Sequence, residues 1–406
     1  MDFAYKKAKP LPGQLENCDI CNKRFTVTPY SKTGPDGGLL CLQCGKELAK
    51  DEGGKLEKKA KSAAQGRKRR KVESDRLDHR VNLGAKTLQQ MCIEKVAVHY
   101  EDLEEFGDLP QGVMVRLSEI FTKRRVLDPK TLKLFLRSDL DEIVIHDCAN
   151  LEAEDYTTIF SIMHNTSRVV LKNACQFKDP SLAYIAAKTT QLEHLKLYAA
   201  NLVSDTAWRS FFLAHGQTLK SIELDWLDAS FDNDTVASLV TSCPNLERLK
   251  LRRCRKLTAN ALEHISKSTK LRHLSLELSL EVPSSTLVAL VESLGANLQT
   301  LSLSNFAGTD ADGLNGCSDD LLSSIHTHCR KLEKLRLSGT DACSDAAFAA
   351  LFTDWANTEL KVVDLSTTRD VDNSNPNGPE EAMGLATQGF AALMQHSGPK
   401  IEKLNI

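Results

Sequence analysis

"LEHLKL" at residues 192–197 is followed by "LKSIEL" at 219–224, "LERLKL" at 246–251 and "LRHLSL" at 271–276. The same L-x-x-L-x-L spacing begins earlier, as "LDEIVI" from Leu140 and "TSRVVL" from Thr166. It continues as "LQTLSL" from Leu298, "LEKLRL" from Leu332, "LKVVDL" from Leu360 and "IEKLNI" from Ile401. The first seven starts are 26, 26, 27, 27, 25 and 27 residues apart, and the next gaps are 34, 28 and 41. A unit of this length, a short apolar strand followed by a segment such as "SDTAWRSFFLAH" or "TANALEHISKS", is a leucine-rich repeat. One unit cannot bury its apolar strand face alone, so neighbours must stack into a curved parallel sheet. The spacing therefore predicts an α/β leucine-rich-repeat solenoid over residues 140–406.

The cysteines keep the same register. Cys148 and Cys254 fall eight residues after a repeat start, and Cys243 and Cys329 three before one. Small thiols at fixed repeat positions act as packing residues. This is the cysteine-containing type of repeat, similar to those of F-box substrate receptors. Two insertions, "GTDADGLNGC" at 308–317 and "RDVDNSNPNGPEEAMG" at 369–384, break the period and are expected to loop out at one rim. In each strand the side chains alternate, so His194, Lys196 and Tyr198, or Arg248, Lys250 and Arg252, are expected on the concave face. Basic and acidic repeats alternate there, which fits a protein partner better than the continuous positive stripe a duplex needs. Trp226 beside that face is either an exposed anchor or a packed residue.

Upstream the composition changes. A tail (1–14) leads into a cysteine-rich module (15–50), and a linker (51–76) leads into a region of helical apolar spacing (77–139). The 406 residues carry a net charge of −2, but residues 55–71 hold nine Lys or Arg against Glu57 alone. That linker has almost no large apolar residues and reads as disordered. Its run Arg67, Lys68, Arg69, Arg70 and Lys71 is expected to serve nuclear import, or else to act as a tether or a nucleic-acid patch. The N-terminus has no secretory signal, and no apolar run is long enough to span a bilayer. Twelve cysteines in such a chain point to a reducing compartment.

Four of them have metal-ligand spacing. Cys18, Cys21, Cys41 and Cys44 form C-x-x-C, nineteen residues, C-x-x-C. Each pair on a tight turn aims two thiolates at one ion. Four thiolates leave no position for a catalytic water, so one structural Zn2+ is expected, and metal binding should drive folding of so small a module. No phosphate-binding loop, nucleophile elbow or H-E-x-x-H motif is present, and an enzyme is not expected.

In "TLQQMCIEKVAVHY" (87–100), Leu88, Met91, Cys92, Val96 and His99 form one helical stripe. One reading is a helix capping the first repeat. The other is docking: Thr87, Leu88, Cys92 and Val96 match [ST]-L-x-x-x-C-x-x-x-Φ, the elongin C-binding box of cullin ubiquitin-ligase receptors, which inserts a helix face into a partner's groove. "LPQGVMVRL" follows, and Leu109, Pro110, Val113 and Leu117 resemble the cullin-contacting box of such receptors. The region is thus SOCS-box-like, although residues 106–136 also pass for a weak F-box.

Long strings then carry a family resemblance: "PLPGQLENCDICNKRFTVTPYSKTGPDGGLLC", "DLEEFGDLP", "AANLVSDTAWR", "LFTDW" and "STTRDVDNSNPNGPEEAMGLATQGF". By these the chain resembles, over nearly its whole length, the fungal leucine-rich-repeat subunit of the global-genome nucleotide excision repair factor. The resemblance implies a nuclear factor for repair of UV lesions in non-transcribed DNA. It implies work alongside a Snf-family ATPase carrying a RING finger. It also implies a role as substrate receptor in an elongin C–cullin ligase that ubiquitinates the lesion-recognition protein. The zinc module starts closer to the N-terminus than is usual for such proteins, and the sequence ends inside a repeat, so a shortened chain is expected. Two other readings stay open: a direct DNA-damage binder using the linker and zinc module, and a receptor or scaffold with no repair role.

Overall fold

The computed structural model describes residues 14–28, 31–35, 37–51, 86–278, 281–306, 316–338, 343–365 and 384–406. The basic run 67–71 and most of both insertions lie outside the described residues. The chain divides into two compact units, residues 1–87 and 88–406.

In the first unit, β1 (Leu15–Asn17) and β2 (Arg24–Thr26) pair antiparallel as a hairpin, and helix α1 (Leu42–Asp51) follows. Its core is small: Cys18, Leu40 and Cys44 are buried, with Phe25, Cys41 and Leu48 packed against them. So few apolar groups contribute only a few kcal/mol of burial, at about 1.5–3 kcal/mol for each large side chain, too little to order the unit without another constraint.

The second unit opens with α2 (Leu88–Val96), α3 (Gln111–Arg124) and the single turn α4 (Pro129–Leu132). Pro110 precedes α3, where a missing N–H costs nothing. Arg125 closes the helix in the left-handed conformation at φ 55°. Asp128 and Thr131 form a reciprocal capping box on α4. Met114, Leu117 and Phe121 on α3 join Phe135 and the first repeats in one core. Edge-to-face contacts of Phe121 with Tyr100, Phe106 and Phe135 at 5.4, 6.1 and 5.4 Å fix the turns around α3. Gln111 donates to the Glu142 carbonyl at 3.1 Å, at the first strand of the sheet.

Ten strands follow in one parallel sheet, in chain order. They are β3 (Glu142–Ile145), β4 (Arg168–Leu171), β5 (His194–Tyr198), β6 (Ser221–Leu227), β7 (Arg248–Cys254), β8 (His273–Glu277), β9 (Thr300–Ser304), β10 (Lys334–Leu337), β11 (Val362–Asp364) and β12 (Lys403–Asn405). Between them lie α5 (Ala153–Ile162), α6 (Asp179–Lys188), α7 (Asp205–His215), α8 (Asn233–Ser242), α9 (Ala259–Ile265), α10 (Ser284–Leu294), α11 (Asp319–His328), α12 (Asp345–Phe352) and α13 (Thr387–Ser397). The register repeats the sequence motif: Leu195 pairs with Ile222, Ile222 with Leu249, Leu249 with Leu274 and Leu274 with Leu301, and each is buried. This is the expected solenoid. Cys148, Cys243, Cys254 and Cys329 are all buried, and burial pushes the last three thiols up to about 12, so they stay protonated packing groups.

Two polar ladders join the repeats. The first residue of a helix accepts from the backbone that starts the next one: Asp179 from Ser204 N at 2.7 Å, Asn233 from Thr258 N at 3.0 Å, Asp319 from Ser344 N at 2.8 Å and Asp345 from Ala386 N at 2.8 Å. Helix N-termini leave N–H groups without internal partners, and these side chains satisfy them across the repeat boundary. At the strand exits, Asn173, Ala199, Trp226, Arg253 and Asn305 share one repeat position. All are left-handed, at φ 55, 62, 62, 50 and 61°, a conformation that costs a non-glycine residue roughly 1–2 kcal/mol.

Candidate functional site

The zinc ligands come from two local structures. Cys18 and Cys21 sit on the turn joining β1 to β2, closed by Asn22 N donating to Cys18 O at 2.9 Å with Asn22 at φ 57°. Cys41 precedes α1 and Cys44 lies in its first turn, where free N–H groups favour thiolates. The segment between is drawn in by Gly34 and Gly38, where an added Cβ would lie 2.4 and 2.5 Å from the Asp19 carboxylate. All four Sγ atoms lie within 4.8 Å of one another. Cys21 and Cys41 are 3.7 Å apart, close to the edge of about 3.8 Å of a tetrahedron with Zn–S near 2.3 Å. Burial raises the Cys18 thiol, but N–H groups of Cys21, Cys41 and Ile20 outweigh it and bring it down to about 6. Cys44 is pushed up to about 12, first by Cys21 and then by burial. Four thiols this close cannot all ionise without a cation among them. The four thiols fit one structural zinc, which Cys18, Cys21, Cys41 and Cys44 would hold with no open coordination position for chemistry.

Helix α2 carries the second candidate. The predicted stripe does not turn inward as a whole. Leu88 is 73% exposed, Met91 47% exposed, and Cys92 and His99 are exposed. Ile93 and Ala97 are buried instead, with Val96 packed at their edge. The helix packs against α3 with one face and presents Leu88 and Cys92 on the other. Arg124 of α3 pins the end of the helix by donating to Ala97 O. In the second box, Leu117 is fully buried in the protein's own core, Leu109 and Val113 are half-buried against it, and Pro110 is exposed.

The concave face is the third. His194, Lys196 and Tyr198 alternate with buried Leu195 and Leu197 as expected. Here Ser221 and Ser302 are themselves buried, because longer neighbours close over them. The alternation of basic and acidic repeats becomes a lattice of lateral ion pairs: Lys196–Glu223 at 2.6 Å, Arg252 with both Asp225 at 3.4 Å and Glu277, and Arg336–Asp364 at 2.6 Å. Burial would raise Glu223, yet the Lys196 hydrogen bond holds its carboxyl below the usual range. Trp226 is 41% exposed and also packed. It meets Tyr198 edge-on at 5.7 Å, lies 5.3 Å from the Arg253 guanidinium and donates through Nε1 to Asp228 at 2.9 Å. The sequence reading missed Asp345 and Asn357: Asp345 recurs at the helix-start position it shares with Asp179, a signal that could have found it, whereas Asn357 bridges to Leu332 and leaves no periodic signal.

Zinc centre and repeat sheet define the class: a leucine-rich-repeat protein bearing a treble-clef zinc module. Residues 12–50 match the family described as "DNA repair protein rhp7 treble clef domain". The chain is homologous to "DNA repair protein rhp7" of Schizosaccharomyces pombe, 30% identical over 356 residues, covering 87% of this chain and 61% of that protein. It is also homologous to "DNA repair protein RAD7" of Saccharomyces cerevisiae, 25% identical over 205 residues, 47% of this chain and 36% of that one. The chain thus spans about three-fifths of the first relative's length. A solved chain described as "Crystal structure of Rad7 and Elc1 complex in yeast" aligns with a TM-score of 0.45 at 18% identity, covering 86% of this chain and 92% of that one.

Proposed function

We propose that the chain is a non-enzymatic factor of global-genome nucleotide excision repair of UV damage, acting in the nucleus as scaffold and substrate receptor of an elongin C–cullin ubiquitin ligase. Homology to two DNA repair proteins supports the repair role. The ligase role rests on one observation: Leu88 and Cys92, the two side chains an elongin C groove would take, are exposed on a helix whose other face is fixed in the core. An apolar helix face left in water this way is a helix-in-groove ligand. Thr87 and Val96 complete the box. The cullin contact is assigned to Pro110 with the half-buried Leu109 and Val113, while Leu117 holds α3 to the core. The concave face would receive the substrate, the lesion-recognition protein, with a Snf-family RING ATPase as a further partner. Arg67 to Lys71 would supply import. Co-expression with elongin C tests the reading. Wild type should co-purify and Leu88→Ala with Cys92→Ala should not; retention by the double variant would overturn it.

A further inference from the structure

The ion-pair lattice of the concave face is unbalanced. Among the described residues, its acids Glu142, Glu223, Asp225, Glu277 and Asp364 each have a basic partner on a neighbouring strand. Its bases do not all have acids: Arg248 and Lys250 on β7 and Lys334 on β10 have no ion pair. These three surround a depression of about 220 Å³. Its floor exists because β8 and β9 carry short side chains, Ser275 and Ser302, at the position where β7 and β10 carry Lys250 and Arg336. His273 bridges to the Thr300 hydroxyl at 3.0 Å along the same depression. Burial first, and then Arg248 and Lys334, depress its protonation. Burial also lowers Lys250. Glu223 lies across from Lys250 but is already paired with Lys196, so it offsets Lys250 and Arg248 only in part. The half-buried Lys250 is held at a cost in stability unless a further anion completes the array.

We propose that this depression across β7 to β10 is the binding site for an acidic segment of a partner protein, an extended strand whose Asp or Glu carboxylates pair with Arg248, Lys250 and Lys334. It supplies the recognition chemistry for the concave face of the proposed receptor, and rests on that reading only for what the partner is. The dimensions fit. Three strand spacings of about 4.8 Å separate β7 from β10, roughly 14 Å, and an extended peptide covers that in about four residues. The half-buried Ser275 hydroxyl offers a donor to the peptide backbone between its two acids. Nucleic acid fits less well. A duplex backbone would run past the cations onto the paired acids Glu223, Glu277 and Asp364, which a segment of about four residues need not reach, and no Phe, Tyr or Trp lines the depression for base stacking.

The test uses the full chain on immobilised poly-L-glutamate, eluted with salt, with a duplex DNA column run in parallel. The basic segment 55–71 sets a common baseline, so the readout is the difference between variants. Arg248→Glu with Lys250→Glu and Lys334→Glu should elute from poly-glutamate at least twofold lower in salt than a charge-matched control at exposed positions away from the sheet, Lys130→Glu and Lys188→Glu on α4 and α6 with Lys267→Glu in the turn after α9. It should show no such difference on DNA. A single Lys250→Met should weaken retention while raising Tm, because it removes an uncompensated cation. Equal elution of the two triple variants, a larger difference on DNA, or an unchanged or lower Tm of Lys250→Met would each overturn the assignment. None of these outcomes depends on elongin C binding, so the ligase reading stands or fails separately.

Discussion

Cys92 and Ile93 are adjacent in sequence and opposite in environment: the thiol is exposed, and the isoleucine is 8% exposed inside the core. One residue step of about 100° around the helix separates a face that holds α2 in place from a face that leaves Leu88 and Cys92 exposed among the described residues. Substitutions on the two faces should therefore part cleanly. Ile93→Ala should cost roughly 2–4 kcal/mol of stability, read as a lowered denaturant midpoint. Leu88→Ala with Cys92→Ala should leave that midpoint within about 0.5 kcal/mol of wild type. A large loss of stability in the double variant would mean that the face is structural.

Removing one zinc ligand should unfold one unit and spare the other. Cys41→Ser leaves three thiolates at a site with too small a core to stand alone. Zinc content should fall from about one ion per chain to near zero. Hydrogen exchange should become fast over residues 15–48 and remain slow in β5 to β9. Full zinc retention in Cys41→Ser would refute the four-cysteine site.

The buried carboxylate of Asp345 links stability to pH. Burial alone would raise its pKa, but the N–H groups of Gly389, Gln388 and Ala386 hold it below the ordinary 3.8. A folded pKa below the unfolded one gives stabilisation that is complete above about pH 4–5 and lost as pH falls through the folded value. Asp345→Asn should thus cost roughly 1–3 kcal/mol at pH 7, with the gap to wild type closing below about pH 3. Urea melts across this range measure it. A gap independent of pH would show that shape, not charge, sets the contribution.

Two glycine-to-alanine changes should have opposite signs. A Cβ on Gly216, at the end of α7, would lie 1.9 Å from the Ser242 carbonyl oxygen of the next repeat. Backbone must move, and Gly216→Ala should cost about 2 kcal/mol or more. A Cβ on Gly112, in the first turn of α3, meets nothing within 4 Å, so Gly112→Ala should add up to about 0.5–1 kcal/mol. Thermal melts of both variants decide the matter.

The sequence carried the repeat sheet because one physical constraint, an apolar strand face every turn of the solenoid, recurs at every start from Leu140 to Ile401. The zinc set was legible for a similar reason, since paired thiols on tight turns have few other uses in a reducing environment. The orientation of α2 was not. Leu88, Met91 and Cys92 share a stripe, but so do Ile93 and Ala97, and only the position of α3 decides which stripe is covered. Leu117 shows the same limit: its spacing fits an outward contact, whereas its neighbours Met114 and Phe121 draw it into the core. The concave face was read residue by residue as alternating charge. Its net effect, acids used up by lateral pairing and cations such as Arg248, Lys250 and Lys334 left over, depends on cross-strand distances that no single strand encodes.

The left-handed row at the strand exits has a further consequence. Asparagine, alanine, tryptophan, arginine and again asparagine occupy it at residues 173, 199, 226, 253 and 305, and the sheet beneath keeps one register throughout. The turn is imposed by the hydrogen bonds of the flanking strands, not by the side chain, so the row is a set of interchangeable slots. The rim can be rewritten one letter at a time, and a new binding preference can arise there without the scaffold having to be re-solved.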